Sequence, residues 1–224
     1  MLNDKRIRVI IGHYGSGKTE FAVNYVMRLA ANGKKVAIAD MDIVNPYFRS
    51  REKAGMMTEA GIKVISGNLG HHANLDLPMV SAEVSAPLQD HSYDFVMDVG
   101  GDSIGARSIA RYRNYFVPGE YDMFCVINRY RQDTQTVEGV LAHIRSIEAT
   151  VGARVTGLIN NTHLLRDTSV EDVMYGQELV EAVSKELEIP IKYVCILEKV
   201  AHQLPSDING EVFPIKMYMR EDWM

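Results

Sequence analysis

The stretch Gly12-His13-Tyr14-Gly15-Ser16-Gly17-Lys18-Thr19 follows an apolar run, residues 7–11, and matches the phosphate-binding pattern G-x-x-x-x-G-K-[ST] at every fixed position. In this pattern the glycines let successive backbone N–H groups surround a phosphate, the lysine reaches the β- and γ-phosphate oxygens, and the final hydroxyl ligates Mg²⁺. A helical pattern follows, so the positive end of a helix would add to the site. The sequence therefore predicts that all eight residues bind a nucleoside triphosphate; a plain glycine turn is the alternative.

The composition is that of an ordinary globular protein. The 224 residues are 46% hydrophobic and 24% charged, with no Pro/Ser/Gly-rich linker or repeat, which predicts one domain over residues 1–224. The first six residues lack the apolar core of a signal peptide, and no apolar run reaches the roughly 18 residues needed to span a bilayer. A net charge of −5 argues against nucleic acid as a partner. We therefore expect a cytoplasmic protein without a membrane partner, in which Cys125 and Cys195 are buried thiols.

Short apolar runs alternate with helical patterns along the chain, which is typical of an α/β protein. The runs expected as strands are Arg8–Ile11, Val36–Ala39, Val64–Ile65, Phe95–Met97, Met123–Ile127, Val155–Ile159 and Tyr193–Leu197. This alternation predicts a doubly wound, mostly parallel sheet with helices on both faces, the P-loop NTPase fold. Ligands of such sheets bind at the carboxyl ends of the strands, so the polar residues that follow each run are the candidates for function.

Capping patterns predict where the helices begin and end. The helix after the phosphate-binding loop should extend from Lys18 to Ala31. Thr168 and Glu171 have the spacing of a capping box, and Asp133 or Thr134 should begin another helix. We expect these residues to be structural.

Carboxylates follow two of the expected strands. Asp40 and Asp42 come after the second run, and because alternate residues of a strand face the same side, both could turn toward a Mg²⁺-phosphate group. One could accept a metal-bound water while the other orients the attacking water. The alternative is that one of them caps the segment that follows. Asp98, at the end of the fourth run, is the candidate Mg²⁺ ligand.

Two glycines, two asparagines and a histidine complete the candidate site. Gly100 and Gly101 follow Asp98, and their small size would let the backbone approach a γ-phosphate. Asn160 and Asn161 follow the sixth run and could contact the base as donor and acceptor at once, or could simply form a turn. In the guanine-binding pattern N-K-x-D an aspartate accepts the N–H groups of guanine, and His163 stands in its place. The sequence therefore favours ATP over GTP.

Together, the loop at residues 12–19, the Asp40-Met41-Asp42 segment and Asp98-Val99-Gly100-Gly101 resemble the MinD/ParA/ArsA-type ATPases, which include the CobQ/CobB-like enzymes. The resemblance covers most of the chain. It implies that Lys18 binds the β- and γ-phosphates, that Thr19 and Asp98 hold Mg²⁺, that Asp42 positions the hydrolytic water and that Asp40 supports the metal shell. It would also place the Asp98 strand beside the strand that leads into the loop.

The chain departs from that family at several places. Many members carry a signature lysine at the position of His13, and this lysine reaches the phosphates of a partner subunit; histidine is charged only at lower pH. The sequence is compatible with a homodimer. Without this lysine, however, it does not favour activation of hydrolysis by a second subunit. The cluster-binding C-x-x-C is absent, and the ending at 217–224 is too short and too acidic for a membrane-targeting helix.

The segments 45–51 and 67–78 are rich in aromatic, arginine and histidine residues and should lie near the nucleotide. We interpret them as surfaces for a protein client or a switch; loops anchored in the core are the alternative. The leading hypothesis is a Mg²⁺-dependent ATPase that acts as a nucleotide-dependent switch. The alternative is an ATP-dependent ligase of the CobQ/CobB or dethiobiotin synthetase type, and the cluster Arg107, Arg111 and Arg113 keeps a small-molecule kinase open.

Overall fold

A single parallel sheet organises the computed structural model, which describes residues 3–42, 53–66 and 83–220. Its eight strands are β1 (Ile7–Ile11), β2 (Val36–Met41), β3 (Lys63–Ser66), β4 (Asp94–Val99), β5 (Tyr121–Ile127), β6 (Gly157–Asn160), β7 (Ile191–Leu197) and β8 (Glu211–Ile215). They are arranged in the order β3-β2-β4-β1-β5-β6-β7-β8, and every neighbouring pair is parallel. The strand that leads into the phosphate-binding loop is therefore central, and the Asp98 strand lies beside it, as the family resemblance implies.

Helices connect the strands. They are α1 (Lys18–Ala31), α2 (Ala54–Glu59), α3 (which includes residues 83–89), α4 (Ser103–Ala110), α5 (Val137–Val151) and α6 (Val170–Leu187). Short 3-10 turns lie at Arg113–Tyr115, Gln132–Thr134, Leu165–Asp167 and Glu198–Gln203. In the described ranges, no helix is both long and apolar enough to cross a membrane.

The two faces of the sheet bury separate cores because successive side chains of a strand point to opposite sides. In β1, Val9 and Ile11 pack with α3, α4, α5 and α6, whereas Ile10 packs with α1 and α2. Helices thus cover both faces, and the expected doubly wound α/β fold is confirmed. Cys125 and Cys195 are free thiols buried one on each side of the sheet.

The last strand was not predicted. Strand β8 contains Pro214, which has no N–H to donate and is tolerated because β8 lies at the edge of the sheet. A proline within an apolar run argues against a strand, which is why the sequence pattern missed it.

Two helix starts also differ from the prediction by one to three residues. The capping box of α6 is formed by Ser169 and Asp172, because the Thr168 hydroxyl donates to the Leu165 carbonyl instead. Helix α5 is capped by the Thr136 hydroxyl, which accepts the N–H of Gly139, and a 3-10 turn takes the place of the predicted start. Neighbouring hydroxyls offer equivalent caps, and only the tertiary contacts decide between them.

Candidate nucleotide-binding site

The phosphate-binding loop lies at the carboxyl end of the central strand β1 and ends where α1 begins. Gly17 has the positive φ of a left-handed residue and forms the N-cap of α1. The N–H of Ser16 donates to the carbonyl of His13 at 3.0 Å, which closes the loop. Lys18 and Thr19 are both buried and occupy the first turn of α1. The free N–H groups of a helix start therefore lie at the end of this loop, where they favour an anionic ligand.

Three aspartates converge at the same edge of the sheet. Asp40 and Asp98 are register partners on β2 and β4, and Asp42 follows β2 by one residue. Lys18 extends into this group, where its Nζ lies 3.6 Å from the Oδ2 of Asp42. The roles of these three carboxylates in metal binding and catalysis stay a prediction.

The environment of Asp98 is suited to a cation. Burial raises the pKa of Asp98 to about 7; Lys18 and Thr19 oppose this effect, and the charge of Asp40 adds to it. Neither oxygen of this carboxylate meets a hydrogen-bond donor of good geometry among the described residues, and the same holds for the buried Ser16 hydroxyl. Buried polar atoms without partners mark places where a ligand completes the structure.

These oxygen atoms fit a Mg²⁺ ion and a phosphate. Mg²⁺ prefers carboxylate and hydroxyl oxygens, which Asp98 and Thr19 provide. Within the described ranges, no three acidic, histidine or cysteine side chains are placed so that they hold a metal by themselves. A Mg²⁺ ion at this site would therefore take its remaining ligands from phosphate oxygens and water, as it commonly does in nucleotide sites.

The loop after β4 packs directly on the phosphate-binding loop. A Cβ atom at Gly101 would lie 2.8 Å from the backbone nitrogen of Tyr14, so only glycine allows this approach. The carboxylate of Asp102 then accepts the N–H of Gly105 at 2.7 Å and begins α4. The loop after β4 therefore contacts the phosphate-binding loop at Gly101 and leads directly into α4.

The two asparagines after β6 have different surroundings. Asn161 donates from Nδ2 to the carbonyl of Ser16 at 2.7 Å and so holds the phosphate-binding loop. Asn160 is fully buried, and its amide nitrogen donates to the carbonyl of Val173 and to the side chain of Gln177. These bonds attach α6 to the sheet and keep Asn160 away from the cleft.

A cleft of about 250 Å³ opens beside the loop, and several of its residues were not predicted from the sequence. Besides loop residues and Glu20, it is lined by Arg131, His163, Leu165, Met219 and Arg220. Burial lowers the pKa of His163 to about 4, and the charges of Arg131 and Arg220 act in the same direction. The Nδ1 atom of His163 is 3.3 Å from the N–H of Leu165, so Nδ1 accepts and Nε2 carries the proton of the neutral ring. His163 therefore presents a hydrogen-bond donor to its surroundings.

No protein-family model and no curated protein matches the chain. Among solved structures, the cell division protein FtsY from Thermotoga maritima is 21% identical, with a TM-score of 0.55 over 85% of this chain and 61% of that chain. Chloroplast FtsY from Physcomitrella patens is 22% identical, with a TM-score of 0.55 over 85% and 58% of the two chains. The signal recognition particle receptor FtsY from Elizabethkingia anophelis, in complex with GDP, is 17% identical, with a TM-score of 0.50 over 83% and 55%.

The fold is that of the P-loop nucleoside triphosphatases. At these identities the likeness shows the fold alone, and the chain spans roughly three fifths of the length of the structures that it matches. These FtsY structures belong to a different branch from the MinD/ParA/ArsA-type ATPases, so the comparisons support the P-loop fold and not that finer assignment.

The phosphate-binding loop, residues 12–19, is called the P-loop from here on. The side chain of its residue His13 contacts the loop after β5. Its Nε2 lies 3.1 Å from the Oδ2 of Asp133, and its ring meets the ring of His143 edge-on at 5.7 Å. Burial lowers the pKa of His143 to about 4, with smaller contributions from His13 and Lys18. His13 is thus engaged by side chains of its own chain.

Both segments predicted as client surfaces, 45–51 and 67–78, lie outside the described residues. Their role as surfaces for a protein client therefore stays a prediction.

Proposed function

We propose that residues 1–224 form one Mg²⁺-dependent nucleotide-binding domain that hydrolyses ATP and acts as a nucleotide-dependent switch. The P-loop fold supports nucleotide binding. The observation that carries the proposal is the buried carboxylate of Asp98, which lies without a hydrogen-bond donor of good geometry beside Thr19 and opposite Asp40. A carboxylate in that position is costly for the fold and useful for holding a cation.

Each residue of the site has a proposed role. Lys18 binds the β- and γ-phosphates, Thr19 and Asp98 ligate Mg²⁺, and Asp40 supports the metal shell. Mg²⁺, when bound, neutralises phosphate charge. Asp42 accepts a hydrogen bond from the attacking water and so orients it. In the structure Asp42 faces the ammonium group of Lys18, and a phosphate that competes for this ammonium changes the surroundings of Asp42.

The choice of ATP rests on His163. Guanine is bound in many P-loop proteins by a carboxylate that accepts its N–H groups, and this chain has a neutral histidine at that position. Glu20 is the one carboxylate among the described residues that line the cleft, and it already accepts the backbone N–H groups of Tyr218 and Met219. GTP is the second candidate, because one FtsY structure of the same fold is a complex with GDP.

The switch proposal rests on the contact between the P-loop and the loop after β4. Gly101 touches the backbone of Tyr14. We propose that a ligand bound in the P-loop acts on α4 through this contact. We propose that a protein client senses this change, with the segments 45–51 and 67–78 as its docking surfaces. The MinD/ParA-type assignment is supported by the sequence motifs, and a homodimer is compatible with this assignment.

Binding and turnover measurements test the proposal. We expect calorimetry to show Mg²⁺-dependent binding of ATP, with weaker binding of GTP, and we expect slow release of phosphate. Lys18→Ala should abolish binding, whereas Lys34→Ala, a change at an exposed lysine, should not. Asp42→Asn should bind ATP and fail to hydrolyse it. Absence of any nucleotide binding in the unaltered chain would overturn the proposal, and equal binding of GTP would overturn the preference for ATP.

A further inference from the structure

Arg131 lies against the P-loop although it is 116 residues away in the sequence. Its Nε donates to the carbonyl of Gly15 at 2.8 Å. Gly15 has a φ of +75°, and a Cβ atom there would lie 3.0 Å from Nε and 3.2 Å from Cζ of the arginine. The guanidinium group therefore packs on the bare backbone of the loop, and it lines the same cleft as Lys18 and Thr19.

The segment that carries Arg131 is held by its own backbone bonds. The carbonyl of Asn128 accepts the N–H of Arg131 at 3.1 Å and the hydroxyl of Thr134 at 2.9 Å. The side chain of Asn128 accepts the N–H of Tyr130, and Asn128 and Thr134 are both buried. Because the backbone of this segment is fixed, the long side chain of Arg131 loses less conformational freedom when it binds a ligand.

Two arginines in this segment have contrasting surroundings. Arg129 is neutralised by Glu178 at 3.0 Å and lies over the ring of Tyr175. Arg131 has no ion pair among the described residues, and its only side-chain hydrogen bond there is the one from Nε to Gly15. Its two terminal nitrogens, with four N–H donors, are therefore available, and paired donors of this kind match phosphate oxygens.

We propose that Arg131 is a phosphate-binding residue: Nε holds the P-loop at Gly15 while the terminal nitrogens contact the polyphosphate of a nucleotide bound in the same chain. This inference rests on the proposed nucleotide-binding function and adds a second cation to Lys18. Contact with phosphate is favoured over stacking on a base, because Arg131 is fixed to the loop that surrounds the phosphates.

Nucleotide affinities of matched variants test the inference. Arg131→Met keeps the apolar stem on Gly15 and removes the donors, and Arg129→Met is the control two residues away. Affinities for adenosine mono-, di- and triphosphate are measured by calorimetry, with thermal unfolding to check the fold of each variant. We expect Arg131→Met to lower triphosphate affinity about tenfold or more and monophosphate affinity much less, and Arg129→Met to change neither.

The outcomes separate the inference from the function on which it rests. If the unaltered chain binds no nucleotide, the proposed function fails. If the unaltered chain binds ATP and Arg131→Met binds it equally well, the phosphate contact is refuted while the function stands. An equal loss for mono- and triphosphate means that Arg131 acts on a part common to both, the α-phosphate, sugar or base, and overturns a contact with the β- and γ-phosphates. Should Arg131→Met fail to fold, Arg131→Lys is measured instead, and the same loss is expected because lysine lacks the fork that holds Gly15 and phosphate together.

Discussion

Asp40 and Asp98 lie directly opposite each other on the neighbouring parallel strands β2 and β4, at the edge of the sheet where the P-loop emerges. Side chains in register on adjacent strands are close, and like charges in that position repel. Burial and the charge of Asp40 together keep the pKa of Asp98 far above its ordinary value. The fold tolerates this cost at the place where a cation would remove it.

Asp98→Asn should therefore raise the free energy of unfolding and weaken Mg²⁺-dependent binding of ATP. At pH 8 without Mg²⁺ the variant no longer buries a negative charge, and we expect its free energy of unfolding to rise by about 1 kcal/mol. The same variant should lose the Mg²⁺-dependent part of ATP binding. Chemical denaturation and calorimetry measure the two effects.

Asp94 on the same strand is the matched control. Its Oδ1 accepts a hydrogen bond from the buried Arg8 at 2.6 Å, so Asp94→Asn should lower the free energy of unfolding by about 1–3 kcal/mol and leave Mg²⁺ dependence unchanged. If Asp98→Asn is destabilised like Asp94→Asn, the carboxylate of Asp98 is part of an ordinary structural pair and the metal proposal weakens.

The local patterns of the sequence predicted the fold class, the P-loop and each described strand except β8. Residues 7–11 and 12–19 are contiguous, and helix α1 has the predicted bounds from Lys18 to Ala31, because apolar periodicity and loop chemistry act over a few neighbouring residues. Short apolar runs alternate with helical patterns along the chain, and this alternation predicted the parallel sheet.

Long-range contacts could not be predicted. The pairs Arg131–Gly15, Asn161–Ser16 and Glu20–Tyr218 are separated by 116, 145 and 198 residues. No spacing rule connects such residues, since their proximity depends on the order of strands in the sheet. Asn160 and Asn161 show the consequence: the sequence treats them alike, and the sheet sends one into the core and the other to the P-loop.

These two asparagines provide the second prediction. Asn161→Ala removes the hydrogen bond to the carbonyl of Ser16, so we expect about tenfold weaker ATP binding with a stability loss of only about 1 kcal/mol. Asn160→Ala leaves buried partners unsatisfied and should cost about 2–3 kcal/mol of stability, with affinity nearly unchanged in the folded protein. Calorimetry and urea denaturation of both variants check this contrast, and equal effects on affinity would contradict it.

The third prediction concerns Glu20, which follows the P-loop in α1. Its carboxylate accepts backbone N–H groups of Tyr218 at 2.6 Å and of Met219 at 3.1 Å, and Met219 lines the cleft beside the P-loop. Glu20→Ala should speed hydrogen exchange of these two amides at least about tenfold, because each loses its acceptor. Glu178→Ala, at an exposed residue, serves as control. Unchanged exchange in Glu20→Ala would mean that the segment is held by its other contacts.

The fourth prediction is a pH dependence of stability that comes from His143. Burial lowers the pKa of His143 from 6.5 to about 4, so the unfolded chain binds a proton between these values that the folded chain does not. The free energy of unfolding therefore rises with pH across this window, and the contribution is complete above pH 6.5 and lost as the pH falls to about 4. One such group contributes a slope of about 1.4 kcal/mol per pH unit. His143→Phe should reduce the measured slope by about that amount while His163, whose pKa is lowered in the same direction, maintains its own part. Urea denaturation of both proteins at pH 4.5, 5.5 and 6.5 measures the difference, and parallel slopes would show that His143 takes up its proton in the folded state as readily as in the unfolded chain.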